Sequence, residues 1–218
     1  MTPVETAARP AGAPRPGRGT RRAGRRKVAV LEAAIRVIAA RGAEATRFAD
    51  VAAESGVPVS TLQYYFGSRE DLLVAAFRHA SGTEIAALEA ELAELAAPWD
   101  RLTCIVTRAL GGYRTEEAGS GRLWIESWHF GIRDAEMRAD TLRDYGAWRR
   151  LVADAVRSGA ASGRFAVRHP PARIAVLTIA LVDGVGIPLA LGDPELTPAG
   201  ATADVMAALA DLLGPPPG

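Results

Sequence analysis

Residues 46–72 constrain the fold more than any other part of this chain. They contain two short stretches in which apolar residues recur at helical spacing, and residues that typically end or begin helices flank these stretches. Gly56 can take the left-handed backbone conformation that a sharp turn after a helix requires. Pro58 has a fixed φ and no N–H, which suits the first turn of a new helix and predicts that helix over residues 59–66. The sequence SRED at 68–71 has the spacing of a capping box. Together they predict a helix-turn-helix with a third, capped helix directly behind it.

The helix over residues 59–66, the reader helix, carries candidate base contacts, since a helix-turn-helix places its second helix in the major groove of DNA. Helical spacing turns Leu62 and Phe66 inward. Four side chains are left to face outward: Ser60, Thr61, Gln63 and Tyr64. Glutamine pairs with adenine, and serine or threonine with either base type, so we predict that these four contact bases. Val59 is predicted to contact a thymine methyl group or to pack. The alternative is an exposed polar helix with no role in DNA binding.

Candidate phosphate contacts accompany the reader helix: Thr46, Arg47, Tyr65 and Arg69. Arg69 lies at the start of the capped third helix, whose positive end adds to the attraction for phosphate. Thr46 has a second predicted role, because its hydroxyl oxygen can cap the first helix of the motif.

Residues 29–80 resemble the DNA-binding domain of the tetracycline-repressor (TetR) family of bacterial transcriptional regulators. The resemblance rests on the Gly-Val pair at 56–57, TLQYYF at 61–66 and SREDLL at 68–73. Gln63 departs from the family, which usually has a phosphate-contacting tyrosine there, and Tyr65 stands where histidine is common. The resemblance implies a homodimer whose two reader helices lie about 34 to 36 Å apart on a palindromic operator.

The C-terminal half resembles, more loosely, the betaine-regulator-like branch of the same family, through YGAWR at 145–149, residues 159–165 and LVDGV at 181–185. That resemblance implies a ligand pocket and a four-helix dimer interface built from the last two helices of each copy. Helix 171–191 is apolar on too many sides for the surface of a monomer, which agrees with such an interface. Its small residues would allow close helix approach: Ala175, Ala180, Gly184 and Gly186.

Candidate ligand contacts come from the aromatic side chains of this half, which holds all four tryptophans. An aromatic-lined cavity with a few polar groups suits a small molecule, whereas aromatic residues at helical spacing more often belong to the core. Both interpretations remain open for the candidates: Tyr113, Trp124, Trp128, His129, Phe130 and Trp148. His129 has no second histidine at metal-ligand spacing, so no metal site is predicted.

The first 27 residues carry eight cationic side chains against one acidic one, in a chain of net charge +1. Their Ala, Pro, Gly and Arg content cannot bury much apolar surface, so we predict a disordered basic arm over 1–27. Such an arm can lie along phosphates or enter the minor groove. The alternative is a solvated tail of biased composition. No apolar stretch suited to a signal peptide occurs in it.

The remaining chain has helical periodicity and no convincing period-2 alternation, which predicts an all-α fold of about nine helices. We expect a three-helix helix-turn-helix domain over 28–72 and a helical ligand-binding and dimerisation domain over 73–218. No uninterrupted apolar run is long enough for a membrane span, and the single Cys104 fits a reducing cytoplasm. No nucleotide-binding or nucleophile motif is found, so we predict neither an enzyme nor a cofactor.

These features predict a cytoplasmic, homodimeric transcriptional regulator, most simply a repressor that a small-molecule effector releases from a palindromic operator. The effector would act by shifting the capped helix, which begins at Ser68 directly behind the reader helix. A ligand-independent architectural DNA-binding protein is the main alternative, and a small helical enzyme is a more remote one. The large C-terminal half favours the sensor, because an architectural protein has little use for it.

Overall fold

The computed structural model describes residues 18–111, 113 and 120–214. Within these ranges the chain forms nine helices and no strand, which confirms the all-α prediction. The helices are α1 (Arg18–Arg41), α2 (Phe48–Ser55), α3 (Val59–Phe66), α4 (Arg69–Ala93), α5 (Pro98–Gly111), α6 (Ser120–Arg133), α7 (Ala135–Ala161), α8 (Pro171–Leu191) and α9 (Pro198–Leu213).

The helix-turn-helix forms at the position predicted from the helix-ending and helix-starting residues. Gly56 ends α2 with a φ of 66°, and α3 begins directly after Pro58. Leu62 and Phe66 of α3 are buried in one apolar cluster with residues of α1, α2 and α4. The predicted capping box is confirmed, since the Asp71 N–H donates to Ser68 Oγ at 3.0 Å and the Ser68 N–H donates to Asp71 Oδ2 at 3.3 Å.

Two predictions for this domain are wrong. Helix α1 begins at Arg18, so the predicted disorder of the basic arm does not hold over residues 18–27; residues 1–17 lie outside the described ranges. No proline follows Pro16 in the arm, and arginine is a good helix former that lets α1 extend backwards. Nor does Thr46 cap α2, because Arg47 is the N-cap and Asp50 Oδ2 accepts from its backbone N–H at 3.0 Å.

Helices α4 and α6 of the C-terminal half continue through glycine residues. Helix α4 is continuous through Ser81 and Gly82, and α5 ends at Gly111. Helix α6 begins at Ser120 and continues through Gly121 and Gly131. These glycines are tolerated because the packing of α6 against α7 outweighs their low helix propensity. Helix α8 has the bounds predicted for helix 171–191.

Helix α8 lies at the centre of the C-terminal half and contacts α5, α6, α7 and α9. By length and composition alone, it is the one helix in the described ranges that is apolar enough to cross a membrane. Core helices of globular proteins have the same character, and seven residues of α8 are buried against its neighbours.

Candidate functional site

A cavity of about 310 Å³ lies among α4, α5, α6, α7 and α8, with α1 at one side. Aromatic side chains from three segments line it: Tyr113, Trp124, Tyr145 and Trp148. The Trp124 and Tyr145 rings lie with their centroids 5.2 Å apart, at the meeting point of α6 and α7. A cavity of this size and aromatic character suits a small organic molecule.

Asp183 brings a carboxylate into this aromatic wall from α8. The Tyr145 hydroxyl donates to Asp183 Oδ2 at 2.8 Å, and the Trp124 indole N–H also donates to this carboxylate. Burial raises the pKa of Asp183, and the two hydrogen bonds and the nearby Arg149 oppose that rise. The Arg149 guanidinium lies over the Tyr145 ring, 5.1 Å from its centroid. The wall therefore combines aromatic rings with a carboxylate that can pair with a cation.

A second carboxylate, Asp144 of α7, lines the same cavity opposite the α4 residue Ser81. Burial raises its pKa, and a hydrogen bond from the Ser81 hydroxyl opposes the rise. Glu84 also lies on the wall, but the Arg108 Nε donates to its Oε1 at 2.8 Å. The negative charge of Glu84 is therefore already paired within the protein.

Three of the six predicted ligand contacts line the cavity, namely Tyr113, Trp124 and Trp148. The other three do not. Trp128 packs behind the wall, with its ring stacked on Tyr145 at 6.3 Å. Phe130 packs against the core of the helix-turn-helix domain, and the exposed His129 contacts Glu44. Successive residues of a helix point about 100° apart, so α6 presents 128–130 to different neighbours.

Sequence reasoning missed Tyr145, Asp144 and Asp183 as cavity residues. Asp183 carried a usable signal, because it is the one acidic residue in the otherwise apolar α8. A carboxylate in such a helix is costly to bury without a partner and therefore indicates a site.

The reader helix, α3, presents most of its predicted base contacts to solvent. Ser60 and Gln63 are exposed, and Tyr64 is 86% exposed. Thr61 and Tyr65 are half-buried on either side of this face. Val59 is 36% exposed at the start of the helix, and Arg47 is exposed at the start of α2.

Two of the side chains predicted to contact phosphate form hydrogen bonds within the protein instead. The Thr46 side chain is buried, and its hydroxyl donates to the Gly42 carbonyl at 2.8 Å. The Arg69 guanidinium donates to the carbonyl oxygens of Ala43 at 2.5 Å, Glu44 at 2.8 Å and Thr46 at 2.6 Å. Arg69 thus binds the α1–α2 connection, residues 42–46, to the start of α4, so neither side chain is free for phosphate in this conformation.

Helix α6 holds the same 42–46 turn from the other side. Glu126 Oε2 accepts from the Ala43 N–H at 2.9 Å. His129 and Arg133 both contact Glu44 Oε1 at 3.1 Å, and the hydrogen bond with His129 lowers the pKa of the Glu44 carboxyl. On the same helix, Trp124 faces the cavity. A single helix therefore joins the cavity wall to the DNA-binding domain.

Helices α8 and α9 leave small and apolar residues exposed on their outer faces. On α8 they follow each other at spacings of three and four: Val176, Ala180, Gly184, Ile187 and Leu191. On α9 they are alanines: Ala199, Ala203, Ala207 and Ala210. Of the four small α8 residues in the predicted dimer face, Ala175 and Gly186 point inward instead. A Cβ at Gly186 would lie 2.6 Å from Tyr113 Cζ, so this glycine makes room for a cavity residue.

Two family models match the chain. Residues 98–214 match the C-terminal domain of the BetI-type transcriptional repressors, and residues 30–76 match the bacterial regulatory proteins of the tetR family. Curated relatives include an HTH-type transcriptional regulator BetI from Vibrio atlanticus, 28% identical over 52% of this chain and 57% of the relative. BetI from Rhizobium meliloti is 32% identical over 37% of this chain and 40% of the relative. The chain thus spans about half the length of the curated relatives it matches.

Solved structures share the whole fold. A transcriptional regulator from Saccharomonospora viridis, in complex with choline, is 25% identical with a TM-score of 0.78, over 86% of this chain and 96% of that one. A TetR-family regulator from Rhodococcus sp. is 27% identical with a TM-score of 0.73, over 88% of this chain and 100% of that one.

Proposed function

Because the chain belongs to the TetR family of bacterial regulatory proteins and carries a BetI-type C-terminal domain, we propose that it is a homodimeric repressor released from a palindromic operator by a quaternary ammonium effector. Family membership makes the chain a DNA-binding transcriptional regulator. The observation that carries the choice of effector is the cavity wall in which aromatic rings surround the Asp183 carboxylate. An architectural DNA-binding protein would have no use for such a cavity.

The chemistry of the wall favours a methylated ammonium. Aromatic faces attract a cation through the ring quadrupole, and the attraction reaches about 2 kcal/mol when the cation is desolvated. The Asp183 carboxylate adds a full opposite charge, and its bonds to Tyr145 and Trp124 hold it against the rings. Choline, which the Saccharomonospora viridis regulator binds in its crystal structure, carries such a group.

Titration calorimetry of the full chain with choline and with tetramethylammonium tests this effector class. We expect both ions to bind, and Asp183→Asn to weaken them at least about tenfold because the opposite charge is lost. Asp100→Asn removes an exposed carboxylate on α5, away from the cavity, and should leave binding unchanged. If neither ion binds the wild-type protein, the effector belongs to another chemical class.

A second copy of the chain is the occupant we propose for the outer face of α8 and α9. An exposed apolar stripe on two adjacent helices marks a protein interface, and small residues let helices approach closely. Operator binding supplies the second reason, because two reader helices must be held one DNA turn apart to contact both half-sites.

For DNA recognition we propose that the exposed face of α3 contacts bases through Ser60, Gln63 and Tyr64. Thr61 and Tyr65 lie at its edges and Val59 at its start, within reach of the groove and its phosphates. Arg47, at the start of α2, is proposed to contact a phosphate. Since its target is the bacterial chromosome, we place the protein in the cytoplasm.

Signal transfer is proposed to run through α6. An effector that packs against Trp124 and Ser127 displaces α6, and the Glu126 contact passes this displacement to the 42–46 turn. Arg69 then passes it to the start of α4, directly behind the reader helix. A coupling of about 1 to 3 kcal/mol would lower DNA affinity roughly 5- to 150-fold.

A further inference from the structure

Two half-buried carboxylates on the cavity wall form no ion pair with any side chain in the part of the chain that the structure describes: Asp144 and Asp183. The cations near Asp144 have other partners. Arg78 and Arg143 both bind Asp140, at 2.6 and 2.5 Å, and Arg78 also binds Glu136 at 2.9 Å. Near Asp183, Arg149 lies over the Tyr145 ring, and its charge lowers the pKa of Asp183 without forming an ion pair. The cavity therefore has an excess of negative charge.

The two carboxylates lie on different sides of the cavity. Asp144 and Tyr145 are neighbours on α7, so their side chains point about 100° apart. Tyr145 reaches Asp183 on α8, whereas Asp144 reaches Ser81 on α4. Apolar side chains of α4, α6 and α7 complete the wall: Phe77, Leu123 and Met137.

The cavity is also larger than one cationic group needs. Its volume of about 310 Å³ is that of roughly ten water molecules in the liquid. A trimethylammonium group against Trp124 and Asp183 would leave the side near Asp144 unfilled. A half-buried carboxylate without an opposite charge is costly, so a ligand that reaches this side with a positive charge gains from both carboxylates.

We propose that the effector carries two cationic centres, an inference that rests on the proposed function. A methylated ammonium lies against the aromatic rings and Asp183, and a protonated amine lies at Asp144 and Ser81. The two ends differ in chemistry. A carboxylate and a hydroxyl accept hydrogen bonds, which a protonated amine donates and a quaternary ammonium does not. The aromatic rings, by contrast, suit the methylated group. The effector class is thus an aminoalkyl trimethylammonium with an apolar linker.

Calorimetric titration of the full chain with matched probes tests this proposal. Each ω-aminoalkyl trimethylammonium ion of a series of chain lengths is compared with the n-alkyl trimethylammonium ion of the same length. At the best length we expect the dication to bind at least about tenfold more tightly than its partner. Asp144→Asn should abolish that advantage and leave the monocation affinity within about twofold of wild type, while Asp183→Asn should weaken both probes.

Controls keep the outcomes distinct. Asp154→Asn removes an exposed carboxylate from the same helix, away from the cavity, and should preserve the dication advantage. Burial raises the pKa of Asp144, so Asp144→Asn should fold with an unchanged or higher melting temperature. Equal affinity of both probes at every length, or an equal loss of both in Asp144→Asn, overturns the two-centre proposal while the single-cation function stands. If no probe binds, both proposals fall.

Discussion

Asp183 combines the properties that a cation sensor needs in one side chain. It lies in an apolar helix, it is held by the Tyr145 hydroxyl and the Trp124 indole, and burial raises its pKa above the ordinary value of 3.8. Its ionised form costs folding free energy in the empty protein, and a bound cation offsets that cost. Ligand affinity and stability therefore both depend on the protonation of this carboxyl.

Choline affinity should rise with pH through the raised pKa of Asp183, because only the carboxylate attracts the cation. The free protein should show the opposite trend, since a raised carboxyl pKa contributes stability that is lost as pH rises through it. Calorimetry in buffers of different ionisation enthalpy should detect proton release on binding below neutral pH. Asp183→Asn should show neither proton release nor a pH-dependent affinity; a wild-type affinity independent of pH would contradict this role.

Gln63 tests base recognition at the residue scale. Replacement by Ala should cost about 1 to 3 kcal/mol of operator binding and relax the preference at one operator position. Its exposed place on the reader helix motivates the prediction. Binding to a library of operator variants measures it, and a uniform loss across all variants would instead indicate a phosphate contact.

At the scale of helices, α6 connects the cavity to the DNA-binding domain because its faces carry different functions. Trp124 and Ser127 face the cavity, while Glu126, His129 and Arg133 hold the 42–46 turn. The 42–46 turn of the DNA-binding domain is therefore held by a helix that also lines the cavity.

Glu126→Ala should uncouple DNA release from effector binding. The Ala43 N–H loses its acceptor, at a cost of about 1 kcal/mol, and α6 loses its bond to the turn. We expect choline affinity to stay near wild type while the effect of choline on operator affinity shrinks. Glu126→Gln keeps an acceptor oxygen and should retain the response. An unchanged choline response in Glu126→Ala would place the coupling elsewhere.

The ends of helices could be predicted from the sequence where proline or glycine marks them. The arrangement of the side chains in the cavity could not be predicted. Pro58, Pro171 and Pro198 set the starts of α3, α8 and α9. The partnership of Tyr145 with Asp183 joins residues 38 positions apart and arises from the packing of α7 on α8. Local periodicity contains no such information, and for the same reason it could not show that Arg69 binds the 42–46 turn.

At the scale of the whole molecule, the outer face of α8 and α9 should hold two copies together. Ala180→Glu places a carboxylate on this exposed stripe, where burial in a helix-helix contact costs several kcal/mol. We expect a folded monomer that binds operator poorly, because it loses the effective concentration of its second half-site. Ala139→Glu, at an exposed position of α7, should remain dimeric. Light scattering at micromolar concentration decides, and a dimeric Ala180→Glu would move the interface elsewhere.

The most direct test of the account is the effect of choline on operator binding, measured by fluorescence anisotropy. The operator would first be selected from random DNA with the full-length protein, and we expect a palindrome. Saturating choline should then lower the operator affinity of the wild-type protein roughly 5- to 150-fold and leave that of Asp183→Asn nearly unchanged at the same concentration. An operator affinity that choline leaves unchanged, although choline binds the cavity, would contradict effector-controlled release.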